Sequence, residues 1–462
     1  SETFHQAASA ADRSILDAAL SREALPGSPV VLDIPAHAMG RLPGAGHHVG
    51  RTTFETDGLP SEWVARCNAM DEIWVPCAFN RETFAKAGVT KPILVVPEGV
   101  DTSKFRPGLA PLDLPGPRNA VTYLAVFEWT HRKAPDLLIQ AWATAFTSAD
   151  DVRLVLRTYP PNQIEGDPIA WVESRIDEEL ARVGKRRADC APISAIARQV
   201  PDADMPGLYA AADVYLAPSR GEGWGRPHME AMSCGLPVVA TRWSGNLDFQ
   251  TDDNSWLIEI DGLEEIDARE EFPFYRGQKW AKPSLADFVR ILRISRDDQD
   301  LRRAKGERAR RDMMQKWDWS KIAPLAETRI REILEGVPAE RSSLLARSAI
   351  RQDVSPRNPS PSSRSIPGSS APIRWAGPVF NYSGYARLAR ETLKGLMDAG
   401  VPVSCDPQLS DNAFFASLSG KNAEISRWKS LLATEPVPGP LVICDLPRDA
   451  NGGDILGALQ RD

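Results

Sequence analysis

Short apolar runs alternate with amphipathic stretches along most of this chain. VVLDIP (30–35), DEIWVP (71–76) and ILVVP (93–97) read as strands, separated by a Gly/His/Pro-rich loop through His48 and by the helical WVARCNAM. Runs of this length between helical pieces predict a parallel sheet. Trp63, Trp74 and Phe79 occupy periodic positions and are expected in the core. From 120 to 335 the alternation is clearer: VTYLAVF (121–127), DVRLVLRTY, ADVYLAPS and VVAT (238–241) are strands. PDLLIQAWATAF is a helix that starts at Pro135 and sets Leu138, Trp142 and Phe146 on one face. The repeating strand-helix order predicts a doubly wound α/β fold.

Beyond Val337 the pattern dissolves into a stretch rich in Ser, Pro and Arg that runs to about Ala371 and reads as a linker. IRWAGPVFNYSGYARLARETLKGLMDAGVPVSCDP then predicts strand, loop, a helix ending near Gly400, and strand. PGSPVVLDIP (26–35) and PGPLVICDLP (438–447) align without a gap. That match reads as an internal repeat: a first copy lacking its opening strand and helix, and a second copy cut short. Either the acceptor half of the first copy is incomplete, or residues 371–447, which contain the elements the head lacks, dock against residues 1–110, with the strand near Ile373 against Val30–Ile34.

Composition narrows the partners. The 462 residues carry 55 Lys+Arg against 62 Asp+Glu, a net charge of −7, which offers no general attraction to nucleic acid. No stretch is long and apolar enough for a membrane span, and the first residues lack the features of a secretion signal, so the expected location is cytoplasmic. The cysteines are dispersed, with no spacing of the zinc type, and are expected to be reduced and buried.

The candidate chemistry is concentrated in ADVYLAPSRGEGWGRPHMEAMSCGLPVVATRWSGN (212–246). A strand leads into a loop holding Gly221, Gly223 and Gly225, and a short helix is expected from near Pro227 to Gly235. Strand, glycine loop and helix amino terminus together form an anion-binding geometry. Glu222 and Glu230, with seven residues between them and with Glu230 expected in the first helical turn, are wrong for phosphate but suited to accept hydrogen bonds from hydroxyls. The ligand would carry both phosphates and hydroxyls; the bland alternative is a capping glutamate and a solvated loop glutamate. Arg132 and Lys133, at a strand-to-helix turn, can neutralise a diphosphate leaving group or can be a plain surface pair. His37, His47, His48, Arg51 and Glu55 are candidates for the opposite side of a cleft, with a His donating to a hydroxylated acceptor; no metal is expected there, because carboxylates and cysteines at ligand spacing are missing.

EGWGRPHMEAMSCGLPVVAT resembles the E-x7-E signature of retaining GT-B glycosyltransferases of family 4. RTTFETDGLPSEWVARCNAMDEIWVPCAFNRETFAKAGV and VVPEGVDTSKFRP resemble the stretch that leads into the hinge of those enzymes, and IRWAGPVFNYSGYARLARETLKGL resembles the opening of another one. The resemblance implies two Rossmann-like doubly wound domains facing a cleft: 1–110 on the acceptor side, 111–320 binding the donor, 321–336 a helix returning to the first domain, 337–371 the linker, and 372–462 part of a second copy. It implies a nucleotide-sugar donor, a glycan or glycolipid acceptor, no cofactor, and membrane association only through the acceptor. Glu222 would meet the donor sugar, Glu230 the ribose, Lys133 the diphosphate, and backbone N–H groups from Gly223 through Gly225 the sugar and phosphates. Phe127 and Glu128 stand where the family often has Gly–Arg, and Ala134 where glycine follows the lysine; Arg132 or Arg226 then stands in for the lost arginine. Polysaccharide or lipopolysaccharide synthesis is the implied setting. The alternative reading is a catalytically silent module of the same fold that binds sugar nucleotides; a nicotinamide oxidoreductase is disfavoured, because no G-x-G-x-x-G follows an early strand.

Overall fold

The computed structural model describes residues 27–117, 120–161, 166–198, 200–267 and 271–344, and the backbone strands 373–377, 403–407 and 441–444. These residues divide into two units, one within Ser1–Thr53, Ser61–Gly99 and Trp319–Asp462, the other within Phe54–Pro60 and Val100–Asp318. Both are α/β and built on parallel sheets.

In the first unit β1 (Val30–Asp33), β2 (His48–Arg51), β3 (Glu72–Val75) and β4 (Ile93–Val95) line up in chain order, with α1 (Ser61–Asn68) and α2 (Ala78–Ala87) between them. Trp63 and Trp74 are buried as expected, whereas Phe79, at the start of α2, is only half-buried. Cys77 caps α2, its sulfur accepting the Asn80 N–H at 3.4 Å. The helix α9 (Trp319–Leu334) belongs to this unit and is bound to β3 by an ion pair with no exposure on either side: Arg329 Nη2 lies 2.6 Å from Glu72 Oε2. Residues 337–344, assigned by composition to the linker, open with packed chain: Ala339, Ser342 and Leu344 are buried, and Ser342 Oγ donates to Glu332 at 2.6 Å.

The same sheet continues on the other side of β1. Its order is β14-β13-β15-β1-β2-β3-β4, with β13 at Ile373–Gly377, β14 at Val403–Pro407 and β15 at Leu441–Cys444. The strand near Ile373 does share the sheet of Val30–Ile34, but β15 stands between them, running parallel to β1 in the register Val30↔Leu441 to Asp33↔Cys444. The two segments that repeat in sequence are therefore neighbours in space, because each is a short apolar strand suited to a parallel ladder with cover on both faces. The expected helix ending near Gly400 lies outside the described residues.

The second unit holds β5 (Val121–Glu128), α3 (Pro135–Ala145), β6 (Val152–Tyr159), α4 (Pro168–Arg182), β7 (Ile193–Ile196), α5 (Met205–Ala210), β8 (Val214–Ala217), α6 (Arg226–Ser233), β9 (Val238–Thr241) and β10 (Ser255–Ile258). The parallel order β10-β9-β8-β5-β6-β7 is that of a doubly wound sheet, whose direction of winding reverses between β5 and β8. A two-stranded antiparallel sheet of β11 (Ile260–Glu265) and β12 (Lys279–Pro283), followed by α7 (Leu285–Asp297) and α8 (Gln299–Asp312), completes the unit. Leu138, Trp142 and Phe146 point into the core from α3, as their spacing requires, and the Trp142 indole N–H donates to Ala191 O at 3.0 Å. Among the described residues no helix is long and apolar enough to cross a membrane, and Cys67, Cys77, Cys190 and Cys234 are free and buried.

Candidate functional site

Ligands of doubly wound sheets bind beyond the carboxyl ends of the strands where the winding reverses, here at the loops after β5 and β8. The β8 loop runs from Pro218 to Gly225 and ends in α6, which spans Arg226–Ser233 with Gly225 as its amino cap at φ 107°. That φ is left-handed and favours glycine. The start and stop agree with those expected from Pro227 and Gly235, but Glu230 sits one residue past the first turn. A Cβ on Gly221 would fall 2.1 Å from Glu55 O and one on Gly245 2.3 Å from Gly223 O, so these glycines let backbone meet backbone around the loop.

The β5 loop delivers Arg132 and Lys133 through a single 3-10 turn, His131–Lys133, closed by Ala134 at φ 53° and ψ 48°. Left-handed backbone at Ala134 explains why glycine suits this place in the resembling enzymes. Lys133 Nζ lies 2.5 Å from Glu222 Oε1, and Arg132 Nη1 is 3.6 Å from Glu222 Oε2 while donating to Gly221 O at 2.8 Å. His228, on the first turn of α6, brings Nε2 to 3.8 Å from Glu222. Burial opposes ionisation of Glu222, but the charges of Lys133, Arg132 and His228 outweigh it and lower the carboxyl to about 2. Burial lowers Lys133 and His228 too, with Glu222 opposing in both.

Glu230 is buried, and its carboxylate accepts the Tyr209 hydroxyl at 2.8 Å. Tyr215, between the two acids, has its hydroxyl raised well above the usual range by burial and by the charges of Glu222 and Glu230. Trp224 turns its ring away into the core against Phe249 and Trp317, leaving the backbone of the loop as its polar face. Arg226 is the half-buried first residue of α6.

Of the residues expected on an acceptor side, Glu55 belongs to the second unit: it accepts the Tyr275 hydroxyl at 2.9 Å and stands 3.5 Å from Arg132. His48 is buried, its Nε2 accepting the Leu42 N–H at 2.9 Å and its Nδ1 bonded to Gly46 O at 3.0 Å. With both ring nitrogens engaged locally, His48 is a pin for its own loop and has no donor to offer a substrate. His37 lies tilted against Trp63 with ring centroids 5.3 Å apart, Arg51 pairs with Asp33 at 2.8 Å, and His47 pairs with Glu72 at 3.3 Å.

Several members of this cluster carry no motif. Arg220 clamps the two loops together, bonding Asp136 at 2.6 and 2.9 Å, Glu264 at 2.8 Å and His131 O at 2.7 Å. Ser244 Oγ accepts the Glu222 N–H at 2.8 Å, and Glu271 accepts the Arg132 N–H at 2.6 Å. The only sequence cue was Ser244 next to a glycine. No group of three or more metal-ligating side chains occurs among the described residues.

Residues 118–268, which contain this cluster apart from Glu55, Glu271 and Tyr275, match the family model described as glycosyl transferases group 1. Over 158 residues, 33% of each chain, the sequence is 36% identical to the D-inositol 3-phosphate glycosyltransferase of Geodermatophilus obscurus. Over 42 residues, 9% of this chain and 11% of the other, it is 60% identical to O-antigen chain mannosyltransferase B of Escherichia coli. Among solved structures, sucrose-phosphate synthase from Thermosynechococcus elongatus superposes with a TM-score of 0.47 at 18% identity, covering 63% of this chain and 69% of that one. The chain spans about a third of the length of the curated relatives it matches first. The stretch that brings Lys133 to Glu222 is thus the stretch that is similar to the group 1 glycosyl transferases.

Proposed function

We propose that this chain is a glycosyltransferase that moves a sugar from a nucleoside diphosphate donor to a hydroxyl of a glycan or glycolipid, with retention and without a metal ion. The observation that carries the reading is the Lys133–Glu222 pair, held where the β5 and β8 loops meet beside the amino end of α6. A diphosphate arriving there replaces Glu222 as the partner of Lys133 and Arg132, and the released carboxylate accepts hydroxyls of the donor sugar. Glu230, steadied by Tyr209, takes the ribose hydroxyls, and backbone N–H groups of Gly223, Trp224, Gly225 and Arg226 meet the phosphates with the help of the helix dipole. The acceptor oxygen bonds to the anomeric carbon as the bond from that carbon to the phosphate oxygen breaks. The electron pair leaves with the diphosphate, and the acceptor's proton passes to the departing oxygen. Lys133, Arg132 and the α6 terminus stabilise the developing charge, the role a metal ion has in other transferases. His37 and Arg51 remain as acceptor-side groups; His48 is left out because its ring is spoken for.

The short match to an O-antigen mannosyltransferase favours a surface polysaccharide or lipopolysaccharide as acceptor, reached from the cytoplasm at the inner face of the membrane. The strands 373–377, 403–407 and 441–444 extend the sheet of β1–β4, which supports the tail as the source of opening strands for the first domain. The test is thermal shift of the full chain with UDP-, GDP- and ADP-sugars, followed by turnover of the stabilising donor with and without EDTA. Glu222→Gln is expected to keep the thermal shift and lose about 10²–10³-fold in rate, with no effect of EDTA on the wild type. Stabilisation without turnover in the wild type would replace this reading with a sugar-nucleotide-binding module, and no stabilisation by any donor would end both.

A further inference from the structure

A cavity of about 470 Å³ opens in the second unit between the amino end of α3, the outer face of α4 and the segment around Phe272. Neither Lys133, Glu222 nor Glu230 lines it. Its volume lies in the range of small-ligand sites. One wall is aromatic: Trp129 and Trp171 meet edge to face with centroids 6.0 Å apart, and Phe272, also in the lining, is 44% exposed. The other wall is a row of polar groups along one side of α4. Arg175 lies over the Trp171 ring at 5.6 Å and donates to Glu178 at 2.5 Å, while Arg182 donates to Glu179 at 2.9 Å.

The charge pattern selects the ligand class. Both guanidinium groups of the α4 wall already face a carboxylate, Asp136 is taken by Arg220, and Glu271 accepts a backbone N–H. A phosphate or carboxylate ligand would have to displace one of these acids and would meet the rest as like charges. Hydroxyl groups fit without displacement, because a carboxylate oxygen that accepts one N–H still has a lone pair to accept an O–H, and a guanidinium has N–H groups left to donate. The partly exposed Trp171 ring and the exposed Phe272 beside such a row suit the C–H face of a pyranose ring.

We propose that this cavity is a carbohydrate-binding site that adjoins the Lys133–Glu222 cluster through His131 and Glu271 but leaves Lys133 and Glu222 outside its lining, taking a neutral oligosaccharide with its ring face on Trp171 and Phe272 and its hydroxyls on Glu178, Glu179 and Arg182. The proposal goes beyond sugar transfer and does not depend on it. It gives the unit a second hold on a glycan, on the α3–α4 side of the sheet.

The experiment is saturation-transfer NMR on the full chain with maltotriose, mannotriose and N-acetylchitotriose in turn, repeated with excess UDP. Expected is transfer to the ring C–H protons of at least one trisaccharide, unaffected by UDP. Trp171→Ala should weaken its binding by about tenfold, equivalent to ~1.4 kcal/mol. Glu178→Gln, on the exposed side of α4, should weaken it with an unchanged melting temperature, which covers the case of a Trp171 variant that folds poorly. Absence of transfer from all three sugars, transfer abolished by UDP, or wild-type affinity in both variants would overturn the proposal.

Discussion

Ser244 holds a backbone conformation, φ 75° and ψ −155°, that glycine enters freely and other residues rarely do. Its hydroxyl accepts the Glu222 N–H, so the strain goes with the placement of the acid most closely tied to Lys133. Ser244→Gly is expected to relieve about 1–3 kcal/mol of strain and raise the melting temperature, yet lower turnover of the donor because the Glu222 backbone loses its anchor. A variant that is both more stable and fully active would show the hydroxyl to be incidental. Tyr209→Phe removes one hydrogen bond to Glu230, and donor affinity measured by calorimetry should fall by roughly fivefold, the equivalent of ~1 kcal/mol. Glu222 and Glu230 stand out within one local segment, whereas Lys133, 89 residues from Glu222 in sequence, is brought to it only by the fold. Arg220 reads as an ordinary loop arginine because its partners Asp136 and Glu264 come from other elements, and Ser244, Tyr209 and Tyr275 reach the site from outside the loop. His48, a candidate donor on an acceptor side from its place in a polar, glycine-rich loop, is instead closed over by that loop, which only the fold reveals.

At the scale of elements, the helix α6 is short, and its orientation depends on the left-handed Gly225 before it. Gly225→Ala would place a methyl 3.2 Å from the His228 ring at φ 107°, and a loss of about 1–3 kcal/mol is expected in denaturant unfolding. Unchanged stability would mean the loop can take another route. Pro135, Leu138, Trp142 and Phe146 announced α3 in the sequence because one helix hides one stripe. The partner of a strand is harder to read, since any short apolar run can pair with any other. β15 lies between β1 and β13, so both edges of its backbone are in the ladder. Val442→Pro removes an N–H from that position and is expected to lower the melting temperature of the full chain; a neutral outcome would argue against this strand order.

At the scale of the molecule, some buried charge is tied into pairs that span long stretches of sequence, as in Glu72 with Arg329 and Lys133 with Glu222. Glu72 and Arg329 are both inaccessible, and burial of Glu72 is outweighed by hydrogen bonds from His47, Arg329 and Trp74, which leave its carboxyl below the usual range. Removing one partner, as in Arg329→Met, should cost about 3–5 kcal/mol by stranding the other. Acid should act in the same direction. Burial holds His48 and His228 below their ordinary value of 6.5, so the unfolded chain binds protons the folded one refuses, and stability falls as the pH drops through that value. The contribution of Glu222 is complete above the ordinary carboxyl value of 4.5 and is lost as the pH falls toward about 2. The melting temperature is expected to decline from neutral pH downward, less steeply in His48→Gln, whose amide can keep one acceptor and one donor in place; equal slopes would remove His48 from the account.

The sequence by itself determined the α/β alternation, the glycine loop before α6 and the spacing of the two acids around that loop. These depend on periodicity, φ preference and spacing within a few turns, all of which are local. Only the tertiary structure decided which apolar strand lies beside which, that Glu55 stands with Arg132, that His48 is sealed and that Glu72 meets Arg329. Such contacts join residues far apart in the chain, and their energy comes from burial and partner geometry that no single segment carries.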